Sequence, residues 1–270
     1  MRPIPVRARL IASAASAVLL AAGLGGCKTT GTGETTGSIV RASTAPRSEA
    51  EWRREADTWG ARYGANPKDG QAAINYAQAL RATGQRAQAA AVLEQGSIHN
   101  PHDTAVLGAY GRALADIGSY GQALEVLSRA HTPDRPDWRI LSAQGAVLDQ
   151  MGKHDDAQRH YASALKIIPD EPSVLSNLGL SYALSKNLPK AEETLKRANA
   201  NPAAEPKVRQ NLALVVGLQG RFAEAEQIAT ADLSPEDAAA NVAYLRQMLA
   251  QKDWKTLRSP DGPLKRAGRS

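Results

Sequence analysis

Gly118-Ser119-Tyr120-Gly121-Gln122-Ala123-Leu124-Glu125-Val126-Leu127 carries the pattern on which the chain is built: a glycine, an alanine five residues on, and a large apolar residue four beyond that. Thirty-four residues upstream the same places hold Gly84, Ala89 and Leu93; downstream they hold Gly152, Ala157 and Tyr161, then Lys186, Ala191 and Leu195. A fifth turn of the period keeps Gly220 and Ala225, and twelve residues before each alanine stands Ala77, Gly111, Gly145, Gly179 or Ala213. A 34-residue period is that of a helix-turn-helix repeat. Counting each unit from Gly70, glycine at position 15 supplies the left-handed backbone that ends a first helix, so Lys186 requires strain or a different turn. Small residues at positions 8 and 20 let the two helices of a unit approach toward the lower end of the ~8–10 Å interaxial range. Leu80, Leu114, Leu148, Tyr182 and Val216 at position 11, with the large residues at position 24, fill the space around them. One hairpin cannot bury these side chains, so the units must stack.

These columns resemble the tetratricopeptide family. Leu107, Leu141 and Leu175 sit at its large fourth position, Tyr76, Tyr110, Leu178 and Leu212 at the seventh, Ala130, Ala164 and Ala198 at the small twenty-seventh, and Pro67, Pro101 and Pro169 at the closing thirty-second. The resemblance implies an all-α, right-handed tetratricopeptide-repeat solenoid of about five helix-turn-helix units, with helical caps at both ends. Gln144 departs from it at position 7, and Arg209, Ala229 and Asp232 depart in the last unit, which is expected to be the loosest.

The ends differ in kind. Arg2, Arg7 and Arg9 precede a short apolar run from Leu10 to Leu24, and no acid occurs before Glu34. That is a secretory signal, too short for a stable transmembrane span. Leu24-Gly25-Gly26-Cys27 closes it and resembles the bacterial lipobox, with the chain's single cysteine at the lipidated place. The resemblance implies diacylglycerol and an N-acyl chain on Cys27 and, because Lys28 rather than aspartate follows, an outer-membrane destination facing the periplasm. The alternative is an uncleaved or differently cleaved signal with an incidental cysteine. Residues 28–47 are rich in threonine, glycine, serine and alanine with almost no large apolar residue, and are expected to form a tether with a mean span of about 25 Å. Within 48–69, Trp52, Glu55 or Ala56, Trp59 and Tyr63 share one helix side and read as a degenerate capping helix. The repeats occupy 70–232. Ser234-Pro235-Glu236-Asp237 then opens a closing helix over 233–251, with a serine cap and proline at the first helical position, and Ala240, Val242, Leu245, Met248 and Leu249 toward the core.

The formal charge of +6 includes the three signal arginines, and the tail 252–270 carries six basic residues against two acids. The body between is therefore near neutral, which removes the main support for nucleic-acid binding. The tail reads as a solvated end or as a docking or anionic-lipid contact. His99, His102, His131, His154 and His160 fall in no metal-ligand spacing, and the chain lacks GxSxG, a phosphate loop and a dinucleotide fingerprint. An enzyme, a metal and a small-molecule substrate are not expected.

Binding remains, and the first helices place it. Positions 2, 5, 6, 9, 12 and 13 share one helix side, which collects Gln71, Asn75 and Gln78; Arg112 and Asp116; Arg139, Ser142 and Asp149; Ser173 and Asn177; Lys207, Gln210 and Asn211. The groove expected from these is polar and mixed in charge. Asn75, Arg112, Arg139, Asn177, Lys207 and Asn211 are its candidate peptide contacts, set against a surface selected only for solubility. The lipobox, the tether and the stretch Asp232-Leu233-Ser234-Pro235-Glu236-Asp237-Ala238-Ala239-Ala240-Asn241-Val242-Ala243-Tyr244-Leu245-Arg246 together resemble the TadD family of tetratricopeptide lipoproteins of tight-adherence (Flp) pilus assembly. That resemblance implies a pilotin or assembly factor whose protein partner is the pilus secretin or another pilus component. The competing expectation is a repeat scaffold of another envelope complex, for barrel assembly or peptidoglycan remodelling.

Overall fold

The computed structural model describes residues 48–132 and 134–250. The signal peptide, Cys27, the tether and the basic tail lie outside them. Among the described residues all regular elements are helices: α1 (Glu49–Ala65), α2 (Gly70–Ala82), α3 (Arg86–His99), α4 (Thr104–Asp116), α5 (Tyr120–Arg129), α6 (Trp138–Gln150), α7 (His154–Ile167), α8 (Pro172–Leu184), α9 (Leu188–Asn199), α10 (Pro206–Leu218), α11 (Phe222–Ala229) and α12 (Pro235–Ala250). The first helices α2, α4, α6, α8 and α10 all open at position 1 of their unit, and the second helices α3, α5, α7, α9 and α11 all open at position 17. The proline loop after α5 and the Asn201 turn after α9 are absorbed without loss of register.

Local chemistry explains this regularity. The residue before each first helix is acidic: Asp69, Asp103, Asp137, Glu171 and Glu205. Four of the five accept a backbone N–H of the first turn, as Asp103 does from Ala105 at 2.8 Å, satisfying donors that a helix start otherwise leaves open. Each first helix ends with its position-16 N–H donating to the position-11 carbonyl, from Gln85 to Leu80 at 2.8 Å through Arg221 to Val216 at 3.3 Å. This closure needs a left-handed residue at position 15. Lys186 supplies it with φ 66°, keeping the turn of the glycine units and carrying the Cβ strain itself.

The alanine column is fully buried. Position 8 is small because position 24 of the same unit lies on it: a Cβ at Gly111, Gly145 or Gly179 would stand 2.5 Å from Leu127, 2.7 Å from Tyr161 or 2.6 Å from Leu195. Each such position-24 side chain contributes about 1.5–3 kcal/mol by leaving water.

Neighbouring first helices pack on one another, while second helices of neighbouring units make no comparable contact. The first helices therefore line the inner, concave side. The α1 helix lies on α2 through the half-buried Trp52, Glu55, Ala56, Trp59 and Tyr63, with the Tyr63 ring 5.9 Å from that of Tyr76. At the other end α12, capped by Ser234 (from Asp237 N–H, 3.1 Å), packs on α10 and α11. Its buried side differs from the expected one. Ala238 and Val242 are buried and Leu245 meets Gly217, whereas Ala240 and Met248 face solvent. A stripe at 238, 242, 245 and 249 follows the helical period, and Ala240 falls off it. In the fifth unit Arg209 and Asp232 replace the usual large and small residues jointly, since the guanidinium grips the carboxylate with two hydrogen bonds, one of 2.7 Å. The α11 helix is only 8 residues long.

Candidate functional site: the concave groove

A hollow of about 700 Å³ on the concave side lies over α4 and α6 and is lined by Arg81, Arg86, Arg112 and Arg139 together with Asp116, Tyr120, Trp138, Ser142 and Asn177. Asp116 is the one acid among these, and Arg81 takes it in an ion pair. Arg139 lies over the Trp138 ring, 4.4 Å from its centroid, an arrangement that keeps the cation exposed while the ring shields one face. Arg112 has neither an ion pair nor a hydrogen bond to any described residue. Burial, then the neighbouring Arg81, pull its pKa below the ordinary guanidinium value. The guanidinium stays charged at any working pH, and Asp137 and Asp116 offset the burial and the Arg81 repulsion only in part, without an ion pair or hydrogen bond of their own to it.

A second, smaller hollow of 260 Å³ continues the groove between α8 and α10, lined by Glu171, Ser173, Ser176, Asn177, Glu205 and Lys207 among others. Asn177 borders both. Its amide donates to Ser142 Oγ of the preceding unit at 3.3 Å, and one unit later Asn211 donates to Ser176 at 2.9 Å. The two asparagines thus form a ladder from position 6 to position 5 of the unit before, which aligns their side chains along the groove.

Of the sequence candidates, Arg112, Arg139 and Asn177 come together in the main hollow, Lys207 joins Asn177 in the second, and Asn211 holds Ser176 at its wall. Asn75 stands apart from both, with its carbonyl taken by Gln71 Nε2 at 3.1 Å. Asp149 does not face the groove as a free carboxylate: it is 7% exposed and accepts from Ser181 at 2.8 Å and Tyr161 at 3.1 Å, with His154 Nδ1 at 2.8 Å. Burial and this carboxylate push the Tyr161 phenol well above its ordinary pKa. The serine and the histidine both address the carboxylate, so the cluster lacks the serine–histidine contact that nucleophilic catalysis requires. Arg81 and Arg86 were missed from sequence. Arg81 occupies position 12, a groove position, and the signal was there; Arg86 opens a second helix, where the groove columns do not reach.

Among the described residues no three His, Cys, Asp or Glu side chains converge as metal ligands. One tetratricopeptide repeat family model matches residues 74–137 and another matches 150–215. No curated protein sequence matches the chain. Among solved structures, a tetratricopeptide protein of Thermus thermophilus is similar at 23% identity and a TM-score of 0.57, over 66% of this chain and 99% of its own. PilW, described as a widely conserved type IV pilus biogenesis factor, is similar at 15% identity and 0.55, over 78% of this chain and 92% of its own. Cut9–Hcn1 of the APC/C is similar at 17% and 0.56, over 72% of this chain and 40% of its own. With these likenesses in fold, two repeat models on the array and one register through all its units, the described chain is a tetratricopeptide-repeat solenoid, a fold that serves as a protein-interaction scaffold.

Proposed function

We propose that the chain is a periplasmic protein-binding scaffold, lipid-anchored through Cys27 to the outer membrane, that acts as a pilotin or assembly factor for the Flp (Tad) pilus system and takes its secretin, or another pilus-assembly component, as partner. It is not an enzyme; its only non-protein groups are the acyl chains on Cys27, and its work requires no metal, nucleic acid or small-molecule substrate. The observation that carries the binding half is the groove, an open concave surface with under-compensated cations and a ladder of aligned side-chain amides. Paired donors and acceptors along a groove suit an extended polypeptide. The envelope half rests on the Leu24–Cys27 lipobox and the TadD-like closing stretch. PilW supports it as a precedent for this fold in pilus biogenesis.

Crosslinking and co-purification of the full chain with the Flp secretin test the reading. Co-purification, with loss of secretin rings on deletion, is the expected result. Absence of the pair together with normal rings in the deletion strain would overturn it in favour of another envelope complex. Replacement of Cys27 by serine is expected to release the chain from the outer-membrane fraction.

A further inference from the structure

The groove has two ends of different chemistry, and the repeat register makes the difference measurable. Arg112 at position 9 and Asp116 at position 13 both line the main hollow, so these positions face the groove. In the fourth and fifth units the same positions hold Leu180 and Leu184, then Leu214 and Leu218. Leu184 is 56% and Leu214 41% exposed, and Leu180 and Leu218 are half-buried. The register therefore puts two leucine pairs, each four residues apart, on the groove side of the adjacent, mutually packed helices α8 and α10. At the other end four arginines converge with a single acid already paired. The Asn177 and Asn211 amides lie on the same two helices as the leucines, each donating to a serine of the preceding unit, with no described donor on either side-chain carbonyl, and Asn177 also borders the arginine hollow.

Resting on the groove as the binding surface proposed above, we infer that it reads an extended segment of a partner protein that carries a cluster of Asp or Glu side chains at one end and large apolar side chains at the other. The carboxylates seat on Arg112 and Arg139 in units two and three, and the apolar residues cover the leucines of units four and five. Guanidinium forks match carboxylates in two-bond geometry. The asparagine carbonyls accept main-chain N–H groups over units four and five, donors that a lipid phosphate does not offer. The leucine patch likewise has no use for a purely anionic polymer.

Selection of a random twelve-residue peptide library on the full chain tests this. The expected outcome is enrichment of sequences with acidic residues clustered at one end and Leu, Phe or Ile at the other. A selected peptide, labelled and titrated by fluorescence polarisation, is expected to lose about tenfold or more in affinity on Asp/Glu→Asn/Gln exchange and against the Arg112→Gln/Arg139→Gln protein. The Arg112→Lys variant, with charge kept, reports whether charge or fold was lost, and thermal melts of each variant confirm folding. A Leu184→Ser/Leu214→Ser variant is expected to weaken the same peptide without removing its salt dependence. Enrichment of neutral or basic peptides, or equal binding by the arginine double variant, overturns the inference while leaving a peptide-binding scaffold. Failure to enrich any peptide overturns the scaffold reading itself. Binding of phosphatidylglycerol vesicles that competes with the peptide and depends on the same arginines would replace the protein partner by a membrane surface.

Discussion

Lys186 carries a backbone cost that the glycine units avoid. At φ 66° it occupies the backbone region that four glycines take in the other units, and a side chain there costs about 1–2 kcal/mol relative to glycine. Lys186→Gly is therefore expected to raise stability by about 1 kcal/mol in chemical denaturation, with no effect on the groove; an unchanged midpoint would mean that Lys186 is relieved by contacts of its own. The opposite prediction holds at Gly145, where a Cβ would meet the Tyr161 ring at 2.7–3.0 Å. Gly145→Ala is expected to destabilise by about 1–3 kcal/mol through overpacking. Tyr161 is doubly constrained, since its hydroxyl donates to buried Asp149. Removing that carboxylate as Asp149→Ala strands the Tyr161 and Ser181 hydroxyls, and is expected to cost about 2 kcal/mol or more in the same assay.

Between elements, α9 is tied by charge to the turn that opens α11. Glu192, buried, accepts from Arg221 at 2.6 and 3.0 Å and from Gln219 at 2.7 Å, and pairs with Lys196 at 2.7 Å. Hydrogen bonds from Arg221 hold its pKa down at about 2, against an ordinary 4.5, in spite of its burial. A carboxylate depressed in the folded state stabilises above its unfolded pKa and loses that contribution as pH falls. Thermal stability is thus expected to decline between pH ~4.5 and ~2, and Glu192→Gln is expected to flatten that part of the decline. The elements themselves were legible in the sequence because a 34-residue period repeats each decision five times. Glycine at 15, alanine at 20 and a large residue at 24 locate helix end, helix contact and core together. Pairings between distant columns were not legible. Arg209 and Asp232 each look like a defect when read alone, and only the folded hairpin shows that they satisfy each other. Asp149 looked free because position 12 faces the groove, but Ser181, at position 10 of the next unit, reaches back to enclose it. In α12 the repeat pattern had ended, so which alanine turns inward depended on docking against α10.

Over the whole molecule the array sorts its chemistry by side. Among the buried columns, position 20 is alanine, position 8 small and position 11 large in every unit. Groove position 2 changes in every unit, and position 9 runs from glutamine through arginine and alanine to leucine. A scaffold can vary these freely because they bear little of the packing, and that variation is where a partner is specified. A protein partner seated on the concave face is the core of the proposed function. Site-specific photo-crosslinking in cells tests it most directly, with p-benzoylphenylalanine placed in turn at Leu214 in the groove and at Glu125, exposed on the outer helix α5. A discrete adduct from Leu214 that contains the pilus secretin or another pilus-assembly component, and none from Glu125, is the expected result. An adduct from Glu125 with none from Leu214 would contradict it.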